Sequence, residues 1–193
     1  MTAWDLPSSL SIGGEDFSIR TDFRAILDIL AAYSDPELED DEKMLVCLSI
    51  LYVDFEKIPQ EHYEEAMKKA IEFIDMGQTP DDKPSPRLMD WEHDAAVIIP
   101  EVNKNLGYEV RTSKETHWWT FLGAYMGIGD GLYSNIINIR QKRSKGKKLE
   151  KYEQEYYREN KKLIDLPAHL TEEQQKAADN EKDRLEKLLR GEI

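Results

Sequence analysis

The chain has 193 residues, enough for one core with a helical extension, and 26 Lys and Arg against 39 Asp and Glu give a formal charge of −13. Such a charge argues against nonspecific attraction to nucleic acid or to an anionic membrane. The single cysteine, Cys47, excludes an intrachain disulfide and a thiolate metal cluster, and within Leu45-Val46-Cys47-Leu48 it reads as a buried, inert thiol suited to a reducing compartment.

Met1 to Pro7 lack a basic stretch followed by an apolar core, and no apolar run approaches the roughly 18 residues of a bilayer span, so neither a signal peptide nor a membrane helix is expected. Ser9 to Ile12 and Phe17 to Arg20 alternate apolar and polar residues about Gly13-Gly14-Glu15-Asp16, which predicts a β-hairpin with a four-residue turn packed on helices. Asp22 then caps a helix with Phe23, Ile26, Leu27 and Leu30 on one face, ended by Asp35-Pro36. The acidic run Glu37 to Glu42 leads into a second helix carrying Met44, Leu45, Leu48, Leu51 and Tyr52, its carboxylates at the positive end of the dipole. The run lacks the central Gly and spaced oxygens of a calcium loop. Pro59 opens a third helix through Tyr63, Met67, Ala70, Ile71 and Ile74, and Gly77 stops it.

Gln78 to Arg87 hold three prolines and two aspartates, a surface loop and a hinge candidate. Asp90 caps the next helix, with Trp91, Ala95, Ile98, Ile99, Val102 and Leu106 on one stripe, a kink near Ala96 from Pro100, and Gly107 as its stop. The segment Thr116 to Gly127, containing Trp118 and Trp119, is apolar on nearly every side, which predicts a central helix buried all round. Gly127, Gly129 and Gly131 follow without the preceding strand that a dinucleotide loop needs, and Asp130 caps a helix with Leu132, Tyr133, Ile136, Ile137 and Arg140.

From Arg140 to Lys151 seven basic residues face one acid, making Lys142, Arg143, Lys145, Lys147 and Lys148 a candidate basic patch. No aromatic lies inside the run to stack on bases, which favours a basic turn facing the chain's own acidic body or an acidic partner. Leu149, Tyr152, Tyr156 and Leu163 continue as a helix to Leu166-Pro167, and Thr171 to Gln174 open a charged helix that ends near Leu185, Leu188 and Leu189 and projects or frays. The fold class expected is mainly α: a multi-helix bundle with a short N-terminal β-hairpin and an extended charged C-terminal helix. Its organisation is residues 1–77 as hairpin and helices, 78–89 as the Pro-rich loop, 90–166 as the Trp-Trp helical region packed on the N-terminal half, and 167–193 as the charged helix.

His62, His93, His117 and His169 stand apart with no paired-ligand spacing, and no nucleophile elbow, phosphate loop or motif-placed Cys and His appears, so no enzyme, cofactor or metal is expected. The distinctive constellation is Asp90, Trp91 and Asp94 with His117, Trp118, Trp119 and Phe121. Two carboxylates four residues apart repel, and the pair needs a donor such as Arg140 or an indole or amide N–H. The tryptophans read as core rather than contact surface.

The order Asp90-x-x-x-Asp94, an apolar stripe, Gly107-Tyr108, His117-Trp118-Trp119-x-Phe121 and Ile136 to Arg140 resembles the bacteriophage gene-product-fifteen family, most closely across residues 88–165. The resemblance implies a protein of the tail-building gene block of long-tailed phages and prophages of Gram-positive bacteria, similar to the tail assembly chaperones. Such a protein coats the tape measure protein and keeps it soluble while tube subunits polymerise, without catalytic residues. Its implied partners are the tape measure protein and the tail tube protein, with homo-oligomerisation left open, in the host cytoplasm and not in the mature virion. The contact surfaces expected are the proline loop with the helix after it, and the C-terminal helix. The alternatives are a structural virion protein, such as a head-tail connector or tail completion subunit, and a nucleic-acid-binding regulator working through the basic run.

Overall fold

The computed structural model describes residues 4–78 and 85–190, with backbone alone at positions 182, 183, 185, 186, 188 and 189. Most of the predicted proline loop, residues 79–84, and the leucines expected to hold the last helix lie outside the described residues and side chains.

Strands β1 (Ser9–Ile12) and β2 (Glu15–Ser18) pair antiparallel, with Leu10 opposite Phe17 and Ile12 opposite Glu15. The turn is therefore two residues and not four. Gly13 and Gly14 have φ of 58° and 85°, the left-handed pair that a tight hairpin demands, so Glu15 and Asp16 are released to the second strand.

Helix α1 (Phe23–Ser34) is capped by Asp22, whose carboxylate accepts from the Arg24 N–H, and it buries Phe23, Ile26 and Ile29. Helix α2 (Asp40–Leu51) starts from a reciprocal capping box between Glu39 and Glu42. It buries Cys47, Leu48 and Leu51 and leaves Leu45 exposed, and burial pushes the Cys47 thiol up to about 12, so it is protonated at neutral pH.

Pro59 begins a separate 3₁₀ turn at Gln60–His62, and α3 runs Tyr63–Ile74. The buried face of α3 is Ala66, Ala70 and Phe73, with Ile71 exposed, a rotation from the expected stripe. The small alanines allow close approach to α2, and the buried Tyr52 hydroxyl fixes that approach by donating to the Ala66 carbonyl at 2.8 Å.

Helix α4 (Ala95–Leu106) runs on through Pro100 and ends at Gly107, whose φ of 78° is the left-handed stop. It begins at Ala95 rather than Trp91, because Asp90 caps a distinct turn ahead of it, accepting from the N–H groups of Glu92 and His93. Helix α5 (Trp118–Met126) is capped by His117, whose Nδ1 accepts from the Trp119 N–H at 3.1 Å. It is not buried all round: α1, α3 and α4 pack on the side that carries Trp118, Trp119 and Phe121, while Thr120, Gly123 and Met126 are exposed.

Gly131, not Asp130, stands at the cap of α6 (Leu132–Ser144), where the Ser134 hydroxyl accepts from the Gly131 N–H and donates to its carbonyl. The continuous helix expected after the basic run is two pieces, α7 (Lys151–Glu159) and α8 (Lys161–Ile164), broken at Asn160. Tyr152 is exposed and its neighbour Glu153 is the buried residue. Helix α9 (Glu172–Arg190) follows.

One apolar core runs from the hairpin through α1–α5 to Tyr133, and a smaller cluster of Ile136, Ile139 and Ile164 meets it at Val97. The two tryptophans bind the core together chemically as well as sterically. Trp118 Nε1 donates to the Ile74 carbonyl at 2.8 Å and Trp119 Nε1 to the Phe73 carbonyl at 2.7 Å, so the indoles satisfy the C-terminal carbonyls of α3. Trp118→Ala or Trp119→Ala opens a cavity and removes a donor from one of those carbonyls, and each is expected to cost about 3 to 5 kcal/mol. Urea denaturation of the two variants measures this, and an unchanged midpoint in both would move the rings from core to surface.

Candidate functional site

The predicted carboxylate pair divides into two environments. Asp94 is fully buried and Arg140 is 6% exposed, and they meet as a bidentate pair, with Arg140 Nη1 at 2.6 Å and Nη2 at 2.8 Å from the two carboxylate oxygens. The remaining guanidinium donors reach the carbonyls of Ile164 (2.7 Å), Leu88 (3.0 Å) and Leu163 (2.9 Å), so all five N–H groups are used. Asp94 also accepts from the Asp90 N–H at 3.1 Å. One side chain of α6 thereby fastens the start of α4, the irregular segment at Leu88 and the end of α8.

Asp90 lies nearer the surface, held by Arg87 and by His169 Nε2 at 3.1 Å. Burial raises its carboxyl, but the His93 N–H and the Arg87 guanidinium outweigh that and hold it below the ordinary carboxylate value. His93 itself contacts the Leu163 carbonyl through Nε2 at 3.1 Å, and His117 Nε2 contacts the Pro7 carbonyl at 3.0 Å, so both rings serve backbone positioning. Trp91 sits edge-on to Trp118 with centroids 6.0 Å apart and tilts on Tyr125 at 4.8 Å.

The basic run does not act as one surface. Lys142 pairs with the buried Glu153 at 2.6 Å, and Arg143 pairs with Asp165 while lying 4.1 Å over the Tyr157 ring. Lys145, Lys147 and Lys148 remain exposed on the turn closed by Gly146. The Lys142 ammonium and the Glu150 N–H lower the Glu153 carboxyl, and at Asp165 contacts from Arg143 and Tyr157 outweigh burial to lower it also.

On the outer side of Trp91 lies an open groove of about 1060 Å³, floored by Leu27 and Leu30 of α1, by Met89 and Trp91, and by Leu170 ahead of α9. A second hollow of about 510 Å³ lies beyond Met89, against Tyr125, Tyr133 and Ile137. Sequence reasoning assigned Leu27 and Leu30 to the core. The available signal was the width of the α1 stripe, since apolar residues at 23, 26, 27, 29 and 30 exceed what one packed face uses. Among the described residues no group of three or more His, Cys, Asp or Glu is arranged to hold a metal, and no helix is long and apolar enough to cross a membrane.

The family model for the bacteriophage Gp15 protein matches residues 4–166, which takes in everything from the hairpin through α8. No curated protein and no solved structure matches the chain.

Arg140→Met leaves Asp94 buried without its partner and is expected to cost about 3 to 5 kcal/mol, while Asp94→Leu with Arg140→Met together costs far less than the sum of the single changes. A double-mutant cycle by urea denaturation reads this, and additive effects would deny the coupling. Because the Asp90, Glu153 and Asp165 carboxyls are lowered by folding, their stabilisation is complete above the ordinary carboxylate range near ~4 and drains as pH falls through the folded values. The stability gap between the native chain and Asp90→Asn should therefore shrink on acidification, as followed by denaturation at stepped pH. A gap independent of pH would mean that folding does not lower the Asp90 carboxyl.

Proposed function

The chain belongs to the bacteriophage Gp15 family, and from that premise we propose that it is a non-catalytic tail assembly protein, chaperone-like, that binds the tape measure protein and keeps it soluble during tube assembly. The observation that carries this reading is the groove beside Trp91. Its apolar floor is open to solvent, yet the residues around it are fixed by the Asp94 and Arg140 pair and by the aromatic cluster, so the surface is held ready and needs little ordering on binding. Tape measure proteins expose long apolar helical faces, and a helix laid in an apolar groove is a recurrent mode of recognition. The net charge of −13 adds support, because an acidic carrier keeps an apolar client dispersed.

The working place of the protein on this reading is the host cytoplasm, with the tail tube protein as a second contact and the finished particle lacking it. A role in nucleic-acid regulation loses support, since Lys142 and Arg143 are engaged by Glu153 and Asp165. Co-expression with the tape measure protein tests the proposal. The chain is expected to co-purify with it and to raise its soluble yield several-fold, and protein analysis of purified particles should find little of the chain. Neither co-purification nor improved yield, or a stoichiometric presence in virions, would overturn it.

A further inference from the structure

The charges around the groove specify more than its apolar floor. Six carboxylates line it, and four of them are engaged. Asp90 is held by Arg87 and His169, Glu172 by Lys176, Glu37 accepts from the Glu172 N–H, and Asp35 accepts from the Glu37 N–H. Like Asp35 and Glu37, which accept only from backbone N–H groups, Asp28 and Glu92 have no ion-pair partner among the described residues, and both are exposed. They stand on different elements, Asp28 on α1 beside Leu27 and Glu92 on the turn beside Trp91, so the trough has an uncompensated negative charge from each of the two.

We infer that this groove takes an amphipathic α-helix of another protein whose apolar stripe is flanked by Lys or Arg. The apolar side chains at i, i+3, i+4 and i+7 of such a helix lie on Leu27, Leu30, Met89 and Trp91, and its flanking cations meet Asp28 and Glu92. A helix with acidic flanks meets like charge at both places and is rejected, so the two carboxylates supply selection and the floor supplies contact area. The inference rests on reading this protein as a binder of another chain, but not on which chain that is.

The test is fluorescence anisotropy with the full-length protein and a labelled amphipathic peptide of roughly 18 residues, Leu on one face and Lys on the other, beside its Leu and Glu counterpart. The Leu and Lys peptide is expected to bind at least about tenfold more tightly than its acidic counterpart. Asp28→Lys with Glu92→Lys should remove about tenfold in affinity for the basic peptide and improve the acidic one. Glu56→Lys with Glu61→Lys, which makes the same change of net charge on exposed residues outside the groove, should leave both unaltered. In methyl NMR, the Met89 signal should shift on addition of the basic peptide.

Equal binding of the two peptides, an equal loss in the Glu56 and Glu61 variant, or an unmoved Met89 signal would overturn the inference. Self-association of the free protein that disappears in the Asp28 and Glu92 variant would overturn it also, by assigning the groove to a second copy. The two proposals fail separately. Peptide binding without tape measure co-purification removes only the tape measure, and co-purification untouched by Asp28→Lys with Glu92→Lys removes only the groove.

Discussion

A single guanidinium settles how the second half of this protein is assembled. Arg140 is buried with Asp94, and removing two charges from water is costly enough that the pair exists only because every donor is used. The geometry of the surrounding chain follows from that demand. The carbonyls of Leu88, Leu163 and Ile164 must converge on one point of α6, which brings the approach to α4 and the end of α8 to the same place. The small isoleucine cluster beneath them is a consequence as much as a cause, since three side chains and their neighbours offer little burial alone.

The first half is joined by a different device. Trp118 and Trp119 carry large apolar areas into the core and donate their N–H groups to the last carbonyls of α3, that of Ile74 and that of Phe73, which also accepts from the Met76 N–H at 3.1 Å. Asp22 works beside them, capping α1 while accepting from the Thr116 N–H at 2.9 Å, and the stacking of Phe23 on Phe121 at 4.4 Å completes the seam. Trp91 connects the two systems. It follows Asp90, belongs to the aromatic cluster of α5, and also lines the groove, so that part of the groove is positioned by both the ion pair and the indoles.

Much of this was legible in the residues. The cap at Asp22, the acidic run leading into the second helix, the stop at Gly107, the inert Cys47 and the need of the Asp90 and Asp94 pair for a donor such as Arg140 are local rules of capping, burial and charge. What escaped depends on neighbours. The turn at Gly13-Gly14 tightened because both glycines take positive φ, and the face of α3 rotated because Tyr52 and small alanines set the approach of α2. The α5 helix has an apolar sequence but too few elements around it to bury every side, and Ser134 displaced Asp130 as the cap of α6. The groove as a whole was illegible because its sides are far apart in sequence: the segment after the proline loop and the C-terminal helix were singled out one by one, and nothing but the surplus of apolar residues on α1 hinted that α1 joins them.

The division between the ion pair and the groove border also governs how such a sequence can drift. Asp94 and Arg140 can be lost only together, because either intermediate strands a charge in the interior, so that part of the scaffold is locked against single steps. Asp28 and Glu92 are solvent-exposed and independent, and each can change sign without disturbing a helix. If the groove holds a helix as proposed, a lineage can retune which helix it accepts one residue at a time, keeping pace with a changing partner while its own architecture stands still.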